Sequence, residues 1–248
     1  MAQHVYLEDA INERELQETD KKIVLLIGDS IRMGYDHYVK ERMANVAEVY
    51  FPNVNCTHTT TILRNLHSWT DALKLYEADA VHFNAGLWDT VRIYGDDTLL
   101  QPETYADNLV RITKRIRFLF PNAKIIFATS TPVIESGYIE GFESRTNRDV
   151  EHFNRIACKV LPSEGVIINN LYELLQNVPE EYHSDQTHFY TGAATELIGC
   201  QVTHILCEAL NIAEDKLILP DASKYHCPNR GIPDKDMYRQ QGHIYVQI

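Results

Sequence analysis

The sequence predicts an α/β fold in which a parallel β-sheet is covered by helices on both faces. Short apolar runs alternate along the chain with longer stretches in which apolar residues recur at helical spacing. Several of these runs are unbroken, as in strands that are buried on both faces. Because parallel strands need crossover connections, this alternation indicates a single sheet with helices between successive strands.

Five segments are predicted to be strands. The first, residues 23–27, is an uninterrupted apolar run that is too short to span a membrane. The second, residues 46–51, is mixed in polarity and is expected at an edge of the sheet. The other three strands are predicted at residues 80–83, 125–128 and 166–168.

Helices are predicted between these strands and after the last of them. Residues 32–44 form the first helix, and apolar residues at helical spacing predict a second over residues 60–76. A third helix begins at Pro102, a residue well suited to a first helical turn, and ends before Pro121. Two more helices are predicted over residues 150–160 and 192–210.

Composition and charge exclude several classes of function. The formal net charge is -12, whereas a protein that binds nucleic acid or an anionic membrane needs a basic face. No apolar run approaches the roughly 20 residues of a spanning helix, and the N-terminus has no signal-peptide core. The five cysteines show no paired C-x-x-C spacing, so neither a disulfide framework nor a zinc site is expected. A cytoplasmic location follows from these features as an expectation.

The chain divides into three parts. Residues 1–21 are a polar lead-in, residues 22–212 form the α/β domain, and residues 213–248 are an irregular tail rich in proline. The tail is too short to form a domain with its own core. It is expected to wrap the domain or to meet a partner chain, and in the second case the protein would be a homo-oligomer.

The most informative stretch is Gly28-Asp29-Ser30, which follows the first strand. It places a hydroxyl at the carboxyl end of a buried strand and at the start of a helix, where open α/β sheets bind their ligands. Ser30 is therefore a candidate nucleophile. The alternative is that Ser30 only caps the helix, as most serines before helices do.

A second stretch, Asp185-x-x-His188, precedes the last helix. An Asp three residues before a His can turn back and accept a hydrogen bond from the imidazole. The other ring nitrogen is then free to take a proton from a hydroxyl, which is what serine catalysis requires.

A third stretch follows the strand at residues 80–83. Here Asn84 offers a side-chain N–H, and Gly86 allows a close approach of the backbone. The side-chain amide of Asn84 and a backbone N–H at Gly86 are candidate donors to an oxyanion. The alternative is that Asn-x-Gly after a strand forms only a turn, which is the commoner case.

Taken together, and in their order along the chain, these three motifs resemble those of the SGNH hydrolases, also called GDSL-like lipases and acylhydrolases. Gly28-Asp29-Ser30 resembles the first block of that family, Gly86-Leu87-Trp88-Asp89 the third, and Asp185-x-x-His188 the fifth. The resemblance covers roughly residues 23–210.

The resemblance implies a flavodoxin-like three-layer α/β/α sandwich with a five-stranded parallel sheet. It also implies hydrolysis of an ester or acetyl group without a metal or another cofactor. In this family's terms Ser30 would be the nucleophile, and its backbone N–H would be one oxyanion donor. His188 would be the general base and then the acid, and Asp185 would orient the imidazole.

The chain departs from the family pattern at the oxyanion hole. The amide donor of the third block is replaced by Trp88, and an indole cannot donate at the same geometry, so Asn84 is the candidate substitute. The second block has no glycine in residues 52–57. The candidate donors there are Asn55 and the backbone of Cys56.

The candidate substrate-binding residues are Asp29, Trp88 and Tyr94. Asp29 is also interpreted as an acceptor that organises the loop beside the nucleophile. Two long connections are expected to overhang the site, residues 90–101 and 133–144. They carry aromatic side chains suited to stacking on a sugar or an acyl group, or only to packing the loops: Tyr94, Tyr138 and Phe142.

We therefore expect a serine esterase that acts on a small-molecule ester, such as an acetyl group on a carbohydrate, with no nucleic-acid or membrane partner. Acyl transfer to a sugar acceptor would use the same triad. One alternative is a metal-dependent phosphoesterase whose ligands are Asp29, Asn84, Asp185 and His188. Another is a binding protein on an inactive hydrolase fold. Arg145 is either a ligand for an anionic substrate group or an ordinary surface arginine.

Overall fold

The computed structural model of the protein describes residues 21–138 and 143–225. The strands formed by these residues are, in chain order, β1 (Lys22–Ile27), β2 (Ala47–Tyr50), β3 (Ala80–Asn84), β4 (Arg92–Ile93), β5 (Lys124–Ala128), β6 (Glu143–Ser144) and β7 (Ile167–Asn169). Five of them form a parallel sheet in the order β2-β1-β3-β5-β7. This is the flavodoxin-like strand order, and the predicted edge position of β2 is confirmed.

Helices cover both faces of the sheet. The α-helices of the described residues are α1 (Ser30–Arg42), α2 (Thr59–Ala72), α3 (Pro102–Leu119), α4 (Asn147–Val160), α5 (Leu171–Leu175) and α6 (Gly192–Leu210). Apolar side chains of α2, α3 and α4 pack in one core cluster and those of α1 and α6 in another. The predicted three-layer α/β/α sandwich is therefore confirmed.

The position of β1 between the two core clusters explains why its apolar run is unbroken. Leu25 and Ile27 lie in the core cluster with α2, α3 and α4, whereas Val24 and Leu26 lie in the cluster with α1 and α6. Successive strand residues point to opposite faces, and here both faces are covered. The strand therefore needs apolar residues at every position, and all four of these side chains are fully buried.

The two long connections contain structure that the sequence analysis missed. β4 pairs with β6 in a two-stranded antiparallel sheet, with Arg92 opposite Ser144 and Ile93 opposite Glu143. The guanidinium of Arg92 also forms an ion pair with Asp149 in α4, at 2.8 Å. Two-residue strands made mostly of polar residues have no hydrophobic period, so the pattern could not reveal them. Of these connections, residues 139–142, which include Phe142, lie outside the described residues.

The described part of the predicted tail lies against α1 and α6. The backbone N–H of Ile218 donates to the carbonyl of Arg42 at 2.9 Å, and the hydroxyl of Tyr225 donates to Glu41 at 2.6 Å. Residues 1–20 and 226–248 lie outside the described residues. None of the helices that are described is long and apolar enough to cross a membrane.

Candidate active site

The junction of β1 and α1 presents Ser30 at the carboxyl edge of the sheet. Asp29 is the N-cap of α1, and its carboxylate accepts a hydrogen bond from the N–H of Ile31 at 2.9 Å. Ser30 is therefore the first helical residue, and the interpretation of Ser30 as the cap is wrong. Its side chain is not needed to cap the helix, and it is partly exposed.

The Asp185-x-x-His188 loop forms the turn that the sequence predicts. One carboxylate oxygen of Asp185 accepts hydrogen bonds from the N–H groups of Thr187 and His188 at 2.7 and 2.8 Å. The other oxygen lies 2.8 Å from His188 Nδ1. Burial opposes the charge of this carboxylate, but the imidazole and the two N–H groups outweigh it and lower the pKa of Asp185 below 3.8. The carboxylate is therefore ionised at neutral pH.

The fold brings this loop to Ser30. His188 Nε2 lies 2.8 Å from Ser30 Oγ, although the two residues are 158 positions apart in the chain. With Nδ1 donating to Asp185, Nε2 is the acceptor of the serine proton. The three side chains thus form a hydrogen-bonded series of hydroxyl, imidazole and carboxylate, an arrangement that is able to support acyl transfer.

Asn84, at the end of β3, lies beside the Gly28-Asp29-Ser30 loop. Its side-chain Nδ2 donates to Asp29 Oδ1 at 2.8 Å, which occupies one of its two N–H groups. A Cβ at position 28 would lie 1.9 Å from Asn84 Oδ1, so the amide rests directly on Gly28. The second N–H of Asn84 is the group that can serve as an oxyanion donor.

The other predicted oxyanion donors are placed differently. The N–H of Cys56 donates to the carbonyl of Gly28 at 3.1 Å and is therefore spent on joining two loops. The side-chain oxygen of Asn55 accepts from the N–H of Thr57 at 2.9 Å, a turn that leaves its Nδ2 as the donor. Gly86 has φ +147°, and the side chain of Ser130 packs closely against its Cα, where a Cβ would clash.

The three predicted substrate-binding residues have unlike environments. Asp29 is 1% exposed, and burial raises its pKa above 3.8 although the hydrogen bonds from Asn84 and Ile31 lower it. Asp29 thus organises the loop and offers no surface to a substrate. Trp88 is half-buried, and Tyr94 is 64% exposed.

Arg145 lies against the loop that carries Trp88. It is 5% exposed, so the expectation of an ordinary surface arginine is wrong. Its Nε donates to the carbonyl of Leu87 at 2.6 Å, and its Nη1 forms an ion pair with Glu143 at 2.5 Å. The guanidinium carbon lies 5.8 Å from the centroid of the Trp88 ring. With its charge paired to Glu143, this arginine supports the loop.

Sequence reasoning missed Arg32, which holds the loop that follows β2. Its side chain is fully buried and forms an ion pair with Asp36. Its Nη2 donates to the carbonyl of Val54 at 2.5 Å, so it ties α1 to the loop that follows β2. The Arg-x-x-x-Asp spacing of this pair on one helix face was the available signal.

The carboxylate and imidazole side chains around Ser30 are each hydrogen-bonded to a neighbouring side chain. Asp29 is joined to Asn84, and His188 is joined to Asp185 and Ser30. Within the described parts of the chain, no three His, Cys, Asp or Glu side chains converge in a way that could hold a metal ion.

Known structures share this fold, although no family model and no curated protein matches the sequence. A lipase/acylhydrolase from Enterococcus faecalis matches 81% of this chain and 99% of its own, with a TM-score of 0.60 and 18% identity. A GDSL-like lipase from Bacteroides thetaiotaomicron matches 84% of this chain and 98% of its own, with a TM-score of 0.56 and 14% identity. The acetyl xylan esterase AlAXEase matches 74% of this chain and 99% of its own, with a TM-score of 0.58 and 15% identity. At these identities the likeness is one of fold, and the chain has the SGNH hydrolase fold of the GDSL-like lipases and acylhydrolases.

Proposed function

We propose that this protein is a serine esterase that hydrolyses a small O-acyl ester through an acyl-enzyme. The observation that carries the proposal is the 2.8 Å contact between Ser30 Oγ and His188 Nε2, with Asp185 on the other ring nitrogen. A serine, a histidine and a carboxylate in this order at the carboxyl edge of a parallel sheet support acyl transfer better than a binding role.

In the proposed mechanism Ser30 Oγ attacks the ester carbonyl while His188 takes the serine proton. The ionised Asp185 stabilises the imidazolium that forms. His188 then gives this proton to the leaving alcohol, and the C–O bond to the alcohol breaks to leave an ester on Ser30. In the second half, His188 removes a proton from water, which attacks that ester. His188 then gives this proton to Ser30 Oγ as the C–O bond to the serine breaks, which releases the acid and restores the free serine.

Two donors are assigned to the developing oxyanion. The N–H of Ser30 belongs to the first turn of α1, where backbone amides lack intrahelical acceptors. The second is the remaining N–H of Asn84, which takes the place of the amide that Trp88 replaces. One missing oxyanion donor typically lowers turnover about 10²- to 10³-fold. Whether a third donor is present would therefore decide whether the enzyme is fast or slow.

We propose an acetyl group on a carbohydrate as the substrate class. The likeness in fold to an acetyl xylan esterase supports this choice. The half-buried Trp88 and Tyr138 belong to the loops that follow β3 and β5, and aromatic rings of this kind stack on sugars. A sugar hydroxyl in place of water as the acceptor would make the protein a transferase with the same triad.

Hydrolysis of p-nitrophenyl acetate by the wild type and by Ser30→Ala tests the proposal. We expect the wild type to turn over, and the variant to lose activity to the background rate while its circular dichroism and melting temperature are kept. Labelling with an active-site phosphonate provides a second readout. Stoichiometric modification of Ser30 is expected, and a folded protein that is neither labelled nor active would instead be a binding protein.

A chelator distinguishes the serine esterase from the remaining alternative, a metal-dependent phosphoesterase. Ester hydrolysis that survives an excess of EDTA agrees with the serine mechanism. Loss of activity with EDTA, and its recovery with a divalent cation, would favour the metal-dependent phosphoesterase.

A further inference from the structure

Tyr190, two residues after His188, contacts both halves of the candidate site. Its ring stacks on the His188 imidazole, with centroids 4.8 Å apart and planes inclined by 20°. Its hydroxyl donates to the backbone carbonyl of Ser30 at 2.7 Å. Tyr190 is buried, and the mechanism above gives it no part.

Gly34 in α1 makes room for the ring of Tyr190. A Cβ at this position would lie 2.8 Å from two of the ring carbons, which is closer than any real Cβ contact. Glycine is otherwise a poor residue within a helix. The packing of Tyr190 against α1 therefore gives a physical reason for a glycine four residues after the nucleophile.

The loop that carries His188 is held by its own hydrogen bonds and by the connection that follows β5, where the N–H of Ile134 donates to the carbonyl of Gln186 at 2.8 Å. The N–H of Ser184 donates to the carbonyl of His188 at 2.8 Å, and the N–H of Tyr190 donates to Ser184 Oγ at 3.2 Å. These bonds fix the shape of the loop, but they do not fix its distance from Ser30. In addition to the bond between His188 and Ser30, the Tyr190 side chain supplies a polar contact that joins this loop to the start of α1.

We infer that Tyr190 is a positioning residue for proton transfer between Ser30 and His188. Its ring fixes the plane of the imidazole, and its hydroxyl fixes the base loop at a set distance from the nucleophile helix. This inference rests on the proposed function, since it assigns Tyr190 a role in that reaction.

The physical reason is that Asp185 alone does not determine the imidazole plane. Torsion about the bond that joins an imidazole to its Cβ is soft, so a ring held at one nitrogen can still tilt. A stacked aromatic surface removes that freedom. A reacting group that is misplaced by about 1 Å can cost on the order of 10²-fold in rate.

The test compares Tyr190→Phe, Tyr190→Leu, Gly34→Ala and the Gly34→Ala/Tyr190→Leu double variant. Tyr76→Leu is the control, because Tyr76 is 72% exposed on the surface. The readouts are kcat and KM with p-nitrophenyl acetate, the rate of phosphonate labelling of Ser30, and circular dichroism. We expect Tyr190→Leu to lower kcat and the labelling rate about 10- to 100-fold with little change in KM. Tyr190→Phe keeps the stacked ring, so its kcat and labelling rate should fall far less than those of Tyr190→Leu.

Gly34→Ala provides an independent arm, because it displaces the ring without changing Tyr190. It should lower kcat in the wild type and add little in the Tyr190→Leu background, since residues in contact are not additive. If Tyr190→Leu does not fold, Gly34→Ala carries the test alone, with the same loss of kcat expected.

Two results would overturn the inference while the proposed function stands. One is an active wild type with a folded Tyr190→Leu whose kcat equals that of Tyr76→Leu. The other is a folded Gly34→Ala with an unchanged kcat. A wild type that is neither active nor labelled overturns the proposed function, and the role of Tyr190 with it.

Discussion

Asp185 shows how much one residue contributes to the arrangement of the candidate site. Its carboxylate accepts two backbone N–H groups and the imidazole Nδ1 of His188. The backbone bonds fix the carboxylate, and the carboxylate in turn fixes which ring nitrogen carries the proton. The orientation of the His188 imidazole therefore depends on the negative charge of this side chain and on its acceptor oxygens.

We predict that Asp185→Asn lowers kcat by about 10³- to 10⁴-fold with little change in KM. The amide keeps the shape of the side chain, but it can turn an N–H toward His188 Nδ1 and favour the wrong tautomer. Steady-state kinetics with p-nitrophenyl acetate measure the effect. Asp221→Asn, a change at an exposed position of the tail, is the control. An Asp185→Asn protein with wild-type turnover would contradict the role given to this carboxylate.

The β1–α1 junction is the element on which the site is built. Gly28 lies under the amide of Asn84, Asp29 caps the helix, and Ser30 begins it. Three consecutive residues thus have three different tasks, and only glycine leaves space for the side chain that arrives from β3. The Gly-Asp-Ser motif is therefore a packing requirement as well as a chemical one.

Gly28→Ala is predicted to lower both stability and activity. A methyl group 1.9 Å from Asn84 Oδ1 and 2.7 Å from Arg32 Cβ must displace one of them. Overpacking of this kind typically costs about 1–3 kcal/mol, and the displaced amide is a proposed oxyanion donor. Urea unfolding and kcat measure the two effects.

Gly165→Ala is the matched control for this substitution. Gly165 precedes β7, at the amino ends of the strands, and has φ +68. Alanine there is strained by about 1–2 kcal/mol, but the site is at the opposite edge of the sheet. We expect a loss of stability with unchanged kcat, and equal losses of kcat in both variants would refute the packing argument.

At the scale of the whole molecule, a buried carboxylate links stability to pH. Asp89 accepts hydrogen bonds from the backbone N–H and the hydroxyl of Thr59, at 3.1 and 2.6 Å, and so joins the β3 loop to the start of α2. Burial outweighs these bonds and raises the pKa of Asp89 from 3.8 to about 7. Folding therefore favours the protonated form of this side chain.

The sign of the pH effect follows from that shift. The folded state holds the proton more tightly than the unfolded state, so the contribution of Asp89 is fully present below pH 3.8. It is lost as the pH rises to about 7. Asp89→Asn cannot ionise, so its stability relative to the wild type should increase over this range, by an amount on the order of 2–4 kcal/mol.

Urea unfolding of both proteins at several pH values between 4 and 8 measures this difference, and the other carboxylates cancel because both proteins contain them. A stability difference that stays constant with pH would show that Asp89 titrates normally.

Local signals in the sequence predicted the core elements well and the connections poorly. The limits of α6 agree with the prediction, and those of β1 and β5 extend it by a residue each, because an apolar run or a helical period marks each element. The pair β4 and β6 was missed, since only contact between two loops defines it. The role of Cys56 as an oxyanion donor was wrong for a related reason. Its N–H is spent on Gly28, a partner 28 positions earlier in the chain.

The sequence by itself determined the α/β class, the edge position of β2, and the loops in which a nucleophile and a base belong. These follow from short-range pattern, since burial on both faces and helical period are visible in a few consecutive residues. Only the tertiary structure decided that Ser30 and His188 meet, that the amide of Asn84 rests on Gly28, and that Tyr190 stacks on the base. These contacts join residues far apart in the chain, and the packing of side chains between strands and helices, which no local pattern encodes, sets their distances.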